Sequence, residues 1–449
     1  MLVSLNLLAF ALCVVFLAYV AVICISYLRL APPPPGEVDT FGWHVVVPCL
    51  DEEAVIGTTL HRLLAAVPTA HLWCVDDASS DRTAAIVAEI AAEDPRVHLL
   101  RRTLPDARQG KGEALNHAWR AISAWEAGTR DRSRVIVGVV DADGELDAGA
   151  LPTLASDRYF GDPTIGAVQV AVRIANRSTG ERPAPRTPWR RRLLDLQDLE
   201  FVGPIAAMQL LRERTGSVAM GGNGQLSRLS VLDEIAERAG TPWHGALLED
   251  FELGVHVLLA GHRTAYCHHV QVAQEGLPTV GALIRQRSRW AQGAMQCRRY
   301  LRPVLASRHI PNAAAFEIAY FLLLPWIQVV GSIVYAASYL VLFGYLAGTA
   351  GGPAGWIASG QWGVLPLVAV GGLGPFVIWG VIYRARVEPS LTRRQAVALG
   401  VANWLYSALH HVAIWWAVGR VLTRRRDWKK TARLAAPAPS PAPQPTPIP

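Results

Sequence analysis

Residues 135–143 read Val135-Ile136-Val137-Gly138-Val139-Val140-Asp141-Ala142-Asp143. A short apolar, β-branched run that stops at two acids has the pattern of a strand covered on both faces. Comparable runs lie on either side of it. Residues 43–47, 72–75, 97–100 and 165–172 read as strands, and residues 52–66, 81–92 and 113–127 as the helices between them. Strands alternating with helices predict an α/β unit, a Rossmann-like and mostly parallel sheet with both faces covered. In such sheets ligands bind beyond the carboxyl ends of the strands. The chemistry is therefore expected just after strands.

Further outward the chain becomes apolar. Its hydrophobic fraction of 51% is high for a soluble protein. Residues 1–28 carry no charge, Arg29 is the first charged side chain, and Pro32 to Pro35 follow. About 20 apolar residues cross a bilayer, so residues 1–30 are expected to form an N-terminal transmembrane helix. A cleaved signal peptide would want a basic start and a small-residue cleavage site. Apolar blocks at 313–346, 363–383 and 396–418 predict a C-terminal membrane region over 313–420, of about three helices with an interfacial part. The unit between, residues 31–312, is expected in the cytosol, because a stretch without acids (276–316) holds Arg285, Arg287, Arg289, Arg298, Arg299, Arg302 and Arg308 directly before an apolar block. Nucleic acid is the other partner such a run suits, and the adjoining apolar block argues against it. The net charge of +7 is concentrated there and in the tail. Residues 421–449 are basic and then Pro/Ala-rich, a composition that predicts disorder.

One point of topology conflicts. An anchor running inward followed by three crossings would leave residues 424–433, rich in Arg and Lys, outside the cell. Either one block is not a simple crossing or the positive-inside tendency fails here. The six cysteines show no paired spacing, which fits a reducing compartment.

Four polar segments stand where a ligand is expected. Asp76-Asp77 follows the 72–75 run; one reading is contact with a ribose or uracil, the plainer one a helix cap by the neighbouring Ser80 or Asp81. Asp141-Ala142-Asp143 can coordinate Mg²⁺ or Mn²⁺, which take oxygen ligands and share them with phosphates; the same spacing also occurs in simple turns. Glu249-Asp250 opens a helical pattern, where acids also complement the helix dipole, and Asp250 is a candidate general base. Gln286-Arg287-Ser288-Arg289-Trp290 offers guanidinium groups for a diphosphate and a flat ring for a sugar, or a basic-aromatic stretch at a membrane face.

In this order the segments resemble the membrane-bound inverting family-two glycosyltransferases, a group that includes cellulose, hyaluronan and poly-N-acetylglucosamine synthases. Pro48 to Glu52, Lys111 to Asn116, Val168-Gln169, Gly221 to Asn223 and Arg228 add to the likeness, with Asp51 where the family commonly has Asn. The resemblance covers roughly residues 45–293 and implies a GT-A-type domain inserted between transmembrane helices of the cell membrane. It implies donor contacts from Asp51, Asp76, Asp77, Lys111, Asp141, Gln286, Arg287 and Arg289, and a metal site at Asp143 with Asp141. Trp290, Glu249 and Gln169 would face the acceptor, and Asp250 would be the base. The expected activity is hexosyl transfer from a nucleotide-diphospho-sugar, a UDP-sugar by resemblance, to a growing β-linked polysaccharide, with membrane lipids around it and accessory secretion subunits as partners. Transfer of a single sugar to a lipid acceptor is the alternative reading, and an inactive scaffold a third.

Overall fold

The strand read before Asp141 is present at Val135–Val139, and its neighbours explain why it must be apolar. The computed structural model describes residues 14–25, 27, 31–180, 182, 184–348, 352–358 and 365–423. Its sheet is built from β1 (Gly42–Cys49), β2 (His71–Asp76), β3 (Val97–Arg101), β4 (Val135–Val139), β5 (Glu145–Leu146), β6 (Ile165–Ile174), β7 (Gln225–Arg228) and β8 (Arg263–Gln274), in the order β3-β2-β1-β4-β7-β6-β8-β5. β4 is buried along its whole length in the middle of the sheet.

β1 to β4 pair in parallel, as do β6 and β8. β7 runs antiparallel to both β4 and β6, and β5 to β8. The sheet is therefore mixed around a parallel half, and the reversal matters. Because Val139 at the end of β4 pairs with Gln225 at the start of β7, the loop entering β7 arrives at the rim where β1, β2 and β4 end. Gly221, Gly222 and Asn223 are brought beside Asp141 in this way.

On one face, α1 (Ile56–Ala66) and α2 (Thr83–Glu93) bury Leu60, Leu63 and Val87 against β1 and β2. The other face carries α3 (Lys111–Trp125), α4 (Pro188–Glu200), α5 (Ala206–Thr215) and α6 (Leu229–Ala239). That second core does not stop at the α/β unit. It includes Ile23 and Tyr27 from the N-terminal segment and Trp379, Tyr383, Leu399 and Tyr406 from the C-terminal helices. α7 (Glu249–Leu259) and α8 (Val280–Cys297) complete the rim.

The C-terminal helices are α9 (Asn312–Gly348), α10 (Leu365–Arg386) and α11 (Arg393–Leu422), with a short helix Gly352–Ala358 between the first two. Among the described residues two stretches are long and apolar enough to cross a bilayer, Asn312–Val334 at mean hydropathy 1.7 and Arg393–Leu422 at 1.2, while the N-terminal helix Val14–Ile25 is shorter. Residues 1–13 of the expected anchor, the basic stretch 424–433 and the Pro/Ala tail lie outside the described residues. The described cysteines, Cys24, Cys49, Cys74, Cys267 and Cys297, are buried free thiols.

Candidate active site

The strand ends set the first layer of the site. Asp141 leaves β4 with its backbone N–H held by Asn223 Oδ1 at 3.1 Å. Lys111, the first residue of α3, reaches across and donates from Nζ to Asp141 Oδ1 and to the Gly222 carbonyl, each at 2.7 Å. Gly222 is there because nothing larger fits easily: a Cβ would stand 3.1 Å from Lys111 Nζ and 3.2 Å from Asp250 Oδ2. Lys111, Asp141, Gly222 and Asp250 thus meet at one spot, although the chain separates them widely.

Charge at that spot is finely divided. Burial alone would lower the Lys111 pKa, but Asp141, Glu249 and Asp250 outweigh it and the net shift is upward, so Lys111 stays an ammonium. Burial also pushes the Glu249 and Asp250 carboxyls up; the Asp250 charge raises Glu249 further, while the Phe251 N–H and Lys111 restrain Asp250. That N–H donates to Asp250 Oδ1 at 2.7 Å. A buried carboxylate with a raised pKa, beside a fixed cation, suits proton transfer.

α8 closes the site. Gln286, Arg287, Arg289 and Trp290 all line one cavity of about 830 Å³, together with Asp77, Lys111, Asp141, Gln169, Glu249 and Asp250. Arg287 stacks on Trp290, its guanidinium carbon 3.9 Å from the ring centroid, and donates to Gln286 Oε1 at 3.0 Å and to Glu200. Glu200, the last residue of α4, takes a hydrogen bond from Arg287 at 2.5 Å, from Tyr406 Oη at 2.6 Å and from His410 Nε2 at 3.2 Å. Burial would raise the Glu200 pKa, yet Arg287 and the hydrogen bonds from His410 and Tyr406 hold it at about 2. Directly after Glu200 the helix widens into a π-turn, Phe201–Ile205, with Pro204 inside it, a local irregularity frequent at functional sites.

The sequence profile described as "Glycosyltransferase like family 2" matches residues 42–293. The chain belongs to that glycosyltransferase family. The chain is similar to the β-monoglucosyldiacylglycerol synthase of Synechocystis sp., 32% identical over 280 residues that make up 60% of this chain and 52% of that protein. It is similar to the poly-β-1,6-N-acetyl-D-glucosamine synthase of Staphylococcus aureus, 25% identical over 264 residues, 58% of this chain and 56% of that protein. The chain thus spans about half the length of the curated relatives it matches. Its fold resembles a mannosyltransferase from Pyrobaculum calidifontis solved in complex with GDP-Man and Mn²⁺, with a TM-score of 0.56 at 18% identity, covering 94% of this chain and 98% of that one.

In this glycosyltransferase not every residue expected at the ligand lines the cavity. Asp51 sits in a left-handed turn (φ 51°) and accepts from the Ser80 N–H at 2.7 Å, so it shapes the loop after β1. Asp76 is 2% exposed and accepts from the Ser79 N–H at 3.2 Å, again within its own loop. Asp77 does reach the cavity, held by Arg102 and by the Arg108 N–H at 3.0 Å. Asp143, 1% exposed, lies behind Asp141 and accepts from the Glu275 N–H at 3.1 Å. Gln169, expected at the acceptor, engages both ends of its amide on backbone: it accepts from Gly221 N–H at 2.7 Å and donates to the carbonyls of Asn223 and Val170, each at 2.9 Å. That makes it a brace for the glycine loop.

Sequence reasoning missed Glu200. Three acids in a helix with Leu193, Leu194, Leu196 and Leu199 on its inner face were the available signal. It also missed His244, Glu252 and His256, whose ligand atoms lie within 4.8 Å of one another. The two rings stack at 4.4 Å, and Glu252 accepts from Tyr300 Oη at 2.5 Å and Ala246 N–H at 3.2 Å. This group ties α7 to the loop before it and to Tyr300, just past α8.

Proposed function

We propose that this protein is a membrane-bound glycolipid synthase, moving one hexose from a nucleotide-diphospho-sugar to the hydroxyl of a lipid acceptor of the diacylglycerol type. The observation that carries the reading is the far end of the cavity. Beyond Asp250 and Trp290 the same cavity is lined by Met208, Phe321, Leu324, Pro325, Ala413 and Ile414, apolar side chains of α5, α9 and α11. An apolar acceptor entering along α9 and α11 would bring its hydroxyl to Asp250. The β-monoglucosyldiacylglycerol synthases of Synechocystis sp. and Trichormus variabilis, at 32% and 30% identity, point the same way. The membrane setting rests on the apolar surface of these helices, where Phe316, Val330, Leu340 and Leu405 are exposed by 70%, 61%, 73% and 62%.

In this reading Asp250 accepts the proton of the acceptor hydroxyl as its oxygen attacks the anomeric carbon, with inversion. Lys111 and Arg289 offset charge on the departing nucleoside diphosphate, and Asp77 contacts the nucleoside. The site suits a hard divalent cation: its donors are carboxylate oxygens, Asp141 faces the cavity, and its Oδ1 already accepts from a cation at 2.7 Å. Asp141, the acid of the Asp141 and Asp143 pair that faces the cavity, would hold Mg²⁺ or Mn²⁺, and the cation would neutralise the diphosphate of the donor; Asp143 would join it only by turning from its contact with the Glu275 N–H. Such electrostatic stabilisation is worth several kcal/mol of barrier.

The test is product partition. Purified protein in vesicles containing diacylglycerol, given UDP- or GDP-hexose and Mg²⁺ or Mn²⁺, is expected to place the labelled sugar in the organic phase as a monoglycosylated lipid. Long, water-retained polymer would select the polysaccharide reading that the likeness to the Staphylococcus aureus enzyme keeps open.

A further inference from the structure

The first turns of α11 pack on α10, and its middle and end meet the catalytic unit. The loop leading into it is held by Thr179 Oγ1 donating to Glu388 Oε2 at 2.7 Å. At its middle, Tyr406 and His410 reach Glu200 at 2.6 and 3.2 Å. Towards its end Ile414 and Ala417 pack on Met295, and Arg420 Nε donates to Gln292 Oε1 at 2.8 Å. Met295 and Gln292 belong to α8, which carries Arg285, Arg287 and Arg289 and so cannot lie in hydrocarbon. A helix crossing a bilayer carries its far end about 30 Å away from its near end. Here the far end returns to the same body.

The two faces of α11 differ as an in-plane helix requires. Leu399, Asn403, Tyr406, Ala413 and Ala417 are buried against protein, while Val401, Leu405, Val412 and Trp416 on the opposite face are exposed by 40%, 62%, 49% and 51%. Trp404 and Trp415 flank that outer face, 39% and 45% exposed. Arginines stand at both ends: Arg393 and Arg394 at the start, Arg420 at the close, and Arg424, Arg425 and Arg426 next in sequence. Basic residues at both ends place both ends on the same, cytosolic side, where they meet anionic headgroups.

We propose that α11 does not cross the membrane but lies in the cytosolic leaflet as an interfacial helix, its tryptophan-bearing face in the headgroup–acyl boundary and its inner face roofing the active-site cavity with His410, Ala413 and Ile414. The inference rests on the membrane setting in the proposed function. It removes the topological conflict in the sequence, because the basic segment after α11 then stays in the cytosol.

Single-cysteine accessibility in sealed vesicles tests it, with Glu89→Cys marking the catalytic side, Arg394→Cys the start of α11 and Thr423→Cys its end. All three are expected to react with a membrane-impermeant maleimide in vesicles of one and the same orientation. Reaction of Arg394→Cys and Thr423→Cys from opposite sides would overturn the in-plane placement and leave the membrane setting intact. Release of the whole protein by carbonate washing would overturn the membrane setting, and the placement with it. Spin labels at Leu405→Cys and Trp416→Cys are expected at equal depth; a depth difference near 16 Å, eleven residues of helical rise, would show a crossing.

Discussion

Asp250 and Glu200 are both buried acids, and their surroundings push them in opposite directions. Asp250 is raised by burial, so its ionised form, the one able to accept a proton, appears only above the ordinary carboxylate range of about 4. Turnover is therefore expected to climb with pH through a raised apparent pKa, read from kcat/KM against pH. Asp250→Asn keeps the shape and removes the base; kcat is expected to fall by ~10²–10⁴-fold while nucleotide binding, measured by calorimetry, is unchanged. Glu200 is held down at about 2 from an ordinary 4.5. A depressed acid contributes stability that is complete above its unfolded pKa and is lost as pH falls towards the folded value. Acid unfolding between about pH 4.5 and 2 is the expected signature. Glu200→Gln leaves Arg287, 6% exposed, without its counter-charge, at a cost of about 3–5 kcal/mol. Denaturant unfolding measures that loss, and the blunting of the acid transition in the variant ties it to this carboxyl.

At the level of elements, the loop between α5 and β7 is the part under the tightest constraint. Gly224 has φ 74°, and a Cβ there would meet Val170 Cγ2 at 2.5 Å and Val272 Cγ1 at 2.6 Å. Both conformation and space exclude a side chain. Gly224→Ala is expected to lower Tm by several degrees and, through the displaced Gly222 carbonyl, to weaken the hold on Lys111. The parallel strands and their helices were legible because each is a run of one period: the sequence placed β1 to β4 and β6 within two residues of their observed ends. β7 was not, since Gln225-Leu226-Ser227-Arg228 is short and polar and is buried only because Arg228 donates to the carbonyls of Ile165 and Phe160 at 2.7 and 2.6 Å. The acids at strand ends and the Gln286–Trp290 segment could be read as a site because their types fit one chemistry. Which acid of each pair faces the ligand could not, because Asp76 and Asp77 are alike in sequence and differ only in loop hydrogen bonds. Glu200 and Asp198 were hidden for another reason: their partners Tyr406 and Tyr383 lie 206 and 185 residues away.

Over the whole molecule, the division between a polar rim and apolar helices is bridged by hydrogen bonds from tyrosine hydroxyls to acids of α4. Asp198 joins α4 to α10 through Tyr383 at 2.6 Å and to β6 through Arg173 at 3.0 Å, just as Glu200 joins α4 to α11. The core on that side of the sheet takes Leu193, Leu199 and Val202 from the α/β unit and Tyr27, Trp379 and Leu399 from its flanks as a single cluster. A shortened chain of residues 34–312, cut to make the enzyme easy to handle, would therefore lose one wall of its own interior. Such a fragment is expected to aggregate or bind hydrophobic dyes rather than to turn over slowly. The consequence reaches back to biogenesis: this half of the fold cannot finish before its C-terminal helices have been synthesised, so release from the ribosome and completion of the interior become one coupled event.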